Sequence, residues 1–155
     1  MTLHLEGREG REEIVDLTKR LKRRFEINEE AIKEMKRHDI HLIEYPLESS
    51  LWIRCSPLHM ERVLDNLLNN ASNAIPEEGG ELSIRSYRRD RWAVAEISNT
   101  GQIPAEDKKR YLLGDGKGRG IHITTRLVKR IGGKIEVETE GNRTTFRVLF
   151  PLVKR

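Results

Sequence analysis

The chain has one cysteine, Cys55, in 155 residues. A lone thiol closes no internal disulfide and makes no cysteine-rich zinc site. Aromatics are equally sparse: two Trp, three Tyr and three Phe offer little stacking surface for single-stranded nucleic acid. Charge of one sign is not in large excess. The 29 Lys and Arg stand against 25 Asp and Glu, a net of +4, which permits an anionic ligand without requiring nucleic acid. No apolar run approaches the ~18 residues a bilayer crossing needs, and the opening MTLHLEGREGREE lacks the apolar core of a signal peptide. There is no internal repeat and no low-complexity tract. The segment is expected to be soluble and cytoplasmic, with no nucleic-acid partner and no membrane contact of its own. What is present is 35% charged and 36% hydrophobic residues, the latter in periodic clusters. The length suits one domain of the usual ~100–200 residues.

Those clusters predict an element order. Ile14, Leu17, Leu21 and Phe25 are helically spaced from Arg11 to Phe25. A second helix start is expected at Asn28, a good cap followed by Glu29 and Glu30. The period then shortens to two over Ile40–Tyr45, a strand ended by Pro46, and Leu51–Arg54 reads as another. The strongest helix runs from Pro57, behind a Ser56 cap, to about Ile75. Met60, Val63, Leu64, Leu67, Leu68, Ala71, Ala74 and Ile75 form its apolar face. Strands follow at Glu81–Tyr87 and Trp92–Ser98, then a loop-rich stretch from Asn99 to Gly120. A helix from Ile121 to Ile131 stops at Gly132-Gly133, and a hairpin of Lys134–Glu138 and Thr144–Leu149 closes the chain. Helices interleaved with hairpins imply a mixed, mostly antiparallel sheet with helices on one face.

Two features stand out from ordinary surface chemistry. Asn66, Asn70 and Asn73, with Asn69 beside them, lie inside the strongest helix. At i, i+4 and i+7 the three share one stripe away from the apolar face. A solvated face is the plain reading. Such faces are mostly Glu, Lys and Gln, however, whereas carboxamides suit oriented hydrogen bonds, and their oxygens suit Mg²⁺. The second feature is Gly114-Asp-Gly-Lys-Gly-Arg-Gly120, placed directly before a helix. It reads either as a flexible loop or as an anion cradle, with backbone N–H groups and the cations Lys117 and Arg119. It has neither the P-loop spacing nor a strand leading into it.

Taken in order, these segments resemble the ATP-binding catalytic domain of sensor histidine kinases, within the gyrase, chaperone, histidine-kinase and mismatch-repair ATPase superfamily. Glu61–Ala71 resembles the N box, Ile97-Ser-Asn-Thr-Gly101 the first glycine box and Gly116-Lys-Gly-Arg-Gly-Ile121 the second. Gly132–Glu138 and Thr144–Phe146 resemble the closing hairpin. The resemblance implies an α+β two-layer sandwich of the Bergerat type, with a catalytic domain at 28–155 behind an N-terminal extension, 1–27. That extension reads as the tail of a dimerisation helix or as a native N-terminal helix. Mg²⁺ would sit on Asn70, with Asn66 at the upstream polar position, these two being the catalytic pair. ATP would be bound by Asn66, Asn70, Asn73, Asn99, Gly101, Ile103, Gly116, Lys117, Gly118, Arg119, Gly120, Ile121 and Thr144. Among these, Asn99 would take the adenine amino group, Thr144 support the base edge and Gly101 give the base room.

The implied function is transfer of the ATP γ-phosphate to a histidine on a separate domain or subunit. The implied partners are a phosphoacceptor-histidine dimerisation domain and a response regulator, and the whole would be a membrane-anchored sensor if this chain is a segment of a longer one. Gyrase- and chaperone-type relatives carry a glutamate at the place of Asn66. An amide takes up no proton near neutral pH, so efficient hydrolysis is not expected. Asn99 stands where the family usually has aspartate. Its oxygen accepts from adenine and its NH₂ is able to donate to a guanine carbonyl, so weaker ATP binding and relaxed base selectivity are expected. The phenylalanine-rich lid motif is missing between Pro104 and Gly114, with Tyr111-Leu112-Leu113 as its remnant. His38-Asp39-Ile40 looks like the start of a phosphoacceptor box but lacks the long helical hairpin around it. His4, His41, His59 and His122 show no ligand clustering. A degenerate nucleotide-sensing module and a serine kinase of the anti-sigma-factor type are the competing functions.

Overall fold

A computed structural model of the chain describes residues 11–35, 39–113 and 121–154. Ile14 and Val15 do not open a helix. They lie in a short strand, β1 (Glu13–Asp16), antiparallel to β3 (Trp52–Cys55), with Val15 opposite Ile53. Both are β-branched, and pairing buries Val15 completely while Ile14 faces out. The helix expected from Arg11 therefore starts at Leu17. Asp16 caps it, accepting from the Lys19 amide at 3.1 Å.

This helix, α1 (Leu17–Glu34), passes straight through the second start expected at Asn28. The Asn28 carboxamide does not cap a following turn. Its Nδ2 donates back to the Arg24 carbonyl at 2.8 Å, four residues earlier. One helix thus replaces two, and positions 27 and 28 are both inside it. Leu17, Leu21, Phe25 and Ile32 face the common core. Its polar flank grips the next helix, α2 (Pro57–Asn73): Arg20 bonds Glu61 at 2.8 Å, and Arg24 makes two 2.7 Å bonds to Asp65. Ser56 caps α2 and Pro57 begins it, as expected.

The large sheet has strand order β2-β4-β5-β7-β6, from β2 (Ile40–Leu47), β4 (Gly80–Arg89), β5 (Trp92–Thr100), β6 (Lys134–Glu140) and β7 (Arg143–Pro151). Only the β2–β4 pair is parallel. β2 continues past Pro46 to Leu47 because it is an edge strand, and its register shifts between Glu44 and Leu47 where the missing N–H falls. On one face, Leu82, Ile84, Ala95, Ile97, Phe146, Val148 and Phe150 are buried beneath the helices. The other face carries Arg85 opposite Glu96 in register, with Glu96 and Glu138 both ion-paired to Arg147. The fold is the expected two-layer arrangement.

Two further helices complete the helical layer. The loop-rich stretch contains α3 (Ala105–Leu113), which begins behind Pro104 with Glu106 and Asp107 in its first turn. The last helix, α4 (Ile121–Ile131), ends as expected at Gly132, with φ +86°, and the Gly133 amide closes on the Val128 carbonyl at 2.9 Å. Among the described residues no helix is long and apolar enough to cross a membrane.

Candidate functional site

The asparagine stripe of α2 divides between two neighbours. Asn70 and Asn73 line a cleft of about 470 Å³, a size suited to a small-molecule ligand. The cleft lies between the end of α2, the segment Gln102–Pro104 and α3, and Ala74, Asp107 and Tyr111 complete its lining. Asn66 is one turn back and is not part of it. Its Nδ2 donates to Thr124 Oγ1 of α4 at 3.2 Å, and Thr124 is fully buried.

Asn99 sits near the end of the central strand β5, on the face turned to the helices, directly opposite Thr144. It is wholly buried. Nδ2 donates to the Thr100 carbonyl at 2.8 Å and to the Gly101 carbonyl at 3.4 Å. Thr144 Oγ1 donates to the same Gly101 carbonyl at 2.8 Å. The Asn99 Oδ1 is buried with no partner among the described residues. Two carbonyl acceptors fix which end of the amide is which: flipping it would set oxygen against oxygen. The NH₂ offered above to a guanine carbonyl is therefore engaged with the backbone, and an unsatisfied acceptor is what remains. A buried orphan of this kind costs about 1–3 kcal/mol, which a bound donor removes. An amino group on a heterocycle is such a donor.

Gly101 is also required by the packing of the chain itself. Its φ is +102°, and an added Cβ would lie 2.3 Å from the Ala74 carbonyl oxygen. The missing side chain lets the end of β5 close on the last turn of α2, and the Gly101 amide donates to the Asn142 carbonyl at 2.7 Å. Ile103 is buried and lines the cleft, while Ile121 is buried in the core at the start of α4. Gly116, Lys117, Gly118, Arg119 and Gly120 lie outside the described residues, as does His38.

Tyr111, Asp107 and Gln102 are cleft residues that the sequence reading did not assign to the site. Tyr111 is 3% exposed. Its ring stands edge-on to Phe146, with centroids 5.2 Å apart, and its hydroxyl accepts from Asn70 Nδ2. The signal for α3 was present in Pro104 and the acidic first turn, a helix start. Its expected place within a loop concealed it.

The donor set fits a magnesium-bound polyphosphate. Among the described residues no group of three His, Cys, Asp or Glu forms a metal site. A cation at Asn70 would thus be held by one carboxamide oxygen, with phosphate oxygens and waters, a set that Mg²⁺ accepts. The carboxylates of α2 do not serve as a base near Asn66, because Glu61 and Asp65 are turned to Arg20 and Arg24 of α1. Asp107 is the carboxylate in the cleft, with the Arg110 guanidinium 4.0 Å away.

Comparison with known proteins gives the family and the fold. Residues 55–154 match the family described as "Histidine kinase-, DNA gyrase B-, and HSP90-like ATPase". The sensor histidine kinase DcuS of Escherichia coli (strain K12) is 35% identical over 97 residues, covering 57% of this chain and 18% of DcuS. The chain thus spans less than a fifth of that relative. The nucleotide-free catalytic domain of histidine kinase ThkA superposes with a TM-score of 0.75 at 24% identity, covering 90% of this chain and 97% of that one. ThkA in complex with the response regulator protein TrrA gives a TM-score of 0.74 at 24% identity, over 92% of this chain and 42% of the other.

Proposed function

This chain belongs to the histidine kinase-, DNA gyrase B- and HSP90-like ATPase family, and we propose that it is the ATP-holding catalytic part of a two-component sensor histidine kinase. It binds Mg-ATP and presents the γ-phosphate to a histidine on a separate dimerisation domain or subunit, from which a response regulator takes it. Similarity to a curated sensor kinase and to a kinase solved with a response regulator supports the partners. The cytoplasm is the compartment such partners share.

The observation that carries the reading is the buried, unpartnered Oδ1 of Asn99. It accepts from the adenine amino group, with Thr144 holding the Gly101 carbonyl beside it. Asn70 and Asn73 take the phosphate end in the cleft, where Mg²⁺ supplies charge neutralisation across the phosphates. Lys117, Arg119 and the glycines Gly116, Gly118 and Gly120 contribute the remaining phosphate contacts. Asn66, bonded to Thr124 and unable to take a proton, activates no water. ATP is therefore held for an acceptor and not hydrolysed.

The amide orientation also favours adenine over guanine, against the relaxed selectivity expected from residue type alone. A guanine carbonyl placed against Oδ1 would set two acceptors together. Equilibrium titration of the chain with Mg-ATP and Mg-GTP tests this: ATP should bind at least about tenfold tighter, the equivalent of one such contact. Equal affinities would remove the assignment of Asn99, and absence of binding to either would remove the function.

A further inference from the structure

The sheet face turned away from the helices holds a hollow. Ser83 of β4 and Ser98 of β5 are opposite each other in register. Both are on that outer face, because Leu82, Ile84 and Ile97 on either side of them pack beneath the helices. Two small side chains on adjacent strands leave a space of about 140 Å³ between longer neighbours, Tyr45, Arg85, Glu96 and Arg143. Both serines are buried, Ser83 2% and Ser98 6% exposed.

Elsewhere on this face charges pair off, as Arg147 does with Glu96 and Glu138. The cations of the hollow do not. Arg143 Nη2 donates to Ser83 Oγ at 3.0 Å and makes no ion pair among the described residues. Arg85 lies over the Tyr87 ring, 5.2 Å from its centroid, and likewise makes no ion pair among the described residues. Glu96 stands opposite Arg85 in register, but its Oε2 already accepts from the Tyr87 hydroxyl at 2.6 Å and from Arg147 Nε at 3.2 Å. The Ser83 hydroxyl accepts from Arg143 and so keeps its own proton to give. Donors and positive charge thus gather around the hollow, and the carboxylate that lines it is already paired.

We propose that this hollow is an oxyanion site, separate from the nucleotide cleft, which takes a single phosphate or carboxylate group on Ser83, Arg85 and Arg143. Its volume suits a group of that size and is too small for a nucleotide. Guanidinium groups and a hydroxyl are the donors such a group accepts from, and bonds assisted by charge are the stronger kind. The site stands independently of the nucleotide reading. Asn99 and Thr144, next in sequence to Ser98 and Thr145, are on the opposite side of the sheet.

The test is a ¹H–¹⁵N chemical-shift titration of the whole chain with inorganic phosphate and, separately, with acetate, at an ionic strength held constant with chloride. The amides of Ser83, Ser98 and Arg143 should shift together and saturate, with a dissociation constant of about 1–10 mM. Arg143→Gln and Arg85→Gln each remove one charged donor and should each weaken binding by at least about fivefold. Asn70→Ala, in the cleft on the helical side, should leave it unchanged. Saturation with phosphate, with acetate or with both supports the site and identifies which oxyanion it takes. Shifts that rise without saturating, that survive both arginine substitutions or that vanish in Asn70→Ala overturn it, as does a spectrum that neither anion changes at these amides.

Discussion

Replacing Asn99 by aspartate would restore the residue the family usually carries, and the structure predicts that it destabilises this domain. The Asn99 NH₂ lies 2.8 Å from one backbone carbonyl and 3.4 Å from another. A carboxylate in its place would face both acceptors, fully buried. Left ionised, it would be a buried charge set against two oxygens with no donor, at a cost of several kcal/mol. The alternative is to keep the acid protonated so that it donates to Thr100. With an ordinary pKa of about 3.9, that costs about 1.4 kcal/mol per pH unit, hence about 1.5 kcal/mol at pH 5 and about 4 kcal/mol at pH 7. The folded-state pKa is thus raised above the unfolded one. Stability is retained below the unfolded pKa and lost as pH rises, until the folded-state group ionises. Urea unfolding of wild type and Asn99→Asp at pH 5 and pH 7 measures the gap. It should widen by about 2–3 kcal/mol between the two. A variant as stable as wild type at pH 7 would show that the pocket around position 99 supplies donors. The amide orientation, and the adenine preference built on it, would then be wrong.

Gly101→Ala places a Cβ 2.3 Å from the Ala74 oxygen at a φ of +102°. It should lower stability by at least about 2 kcal/mol, read from the urea midpoint, and a change within error would refute the close approach of β5 to α2. Burial pushes the Cys55 thiol up to about 12 from an ordinary 9.0. The unfolded chain therefore loses its thiol proton first, and stability falls by up to about 1.4 kcal/mol per pH unit as pH rises above 9. Cys55→Ala should remove that part of the slope between pH 9 and 11, and parallel slopes would show that the thiol is accessible.

Much of the site was legible because its residues are close in sequence or carry local signals. The N-cap at Ser56, the stripe of Asn66, Asn70 and Asn73 and the stop at Gly132-Gly133 depend on neighbours within a turn or two, and spacing encodes them. The order of motifs carried the family, and hence the sheet and its helical face. Asn28 shows the limit of such reading. The same side chain caps a helix or bonds back along one, and the α1–α2 ion pairs and the buried Phe25 favour continuation.

By itself the sequence determined which residues are chemically equipped for nucleotide and cation: carboxamides on one ridge of a helix, and an Asn-Thr-Gly directly after an apolar strand. The tertiary structure decided how each is used. Asn66 meets Thr124 and Asn70 meets Tyr111, partners 58 and 41 residues distant. Asn99 became an acceptor because the turn after β5 supplies two carbonyls. An amide's identity is local, but its orientation is set by whatever packs against it, and no spacing rule records a partner brought in from another element.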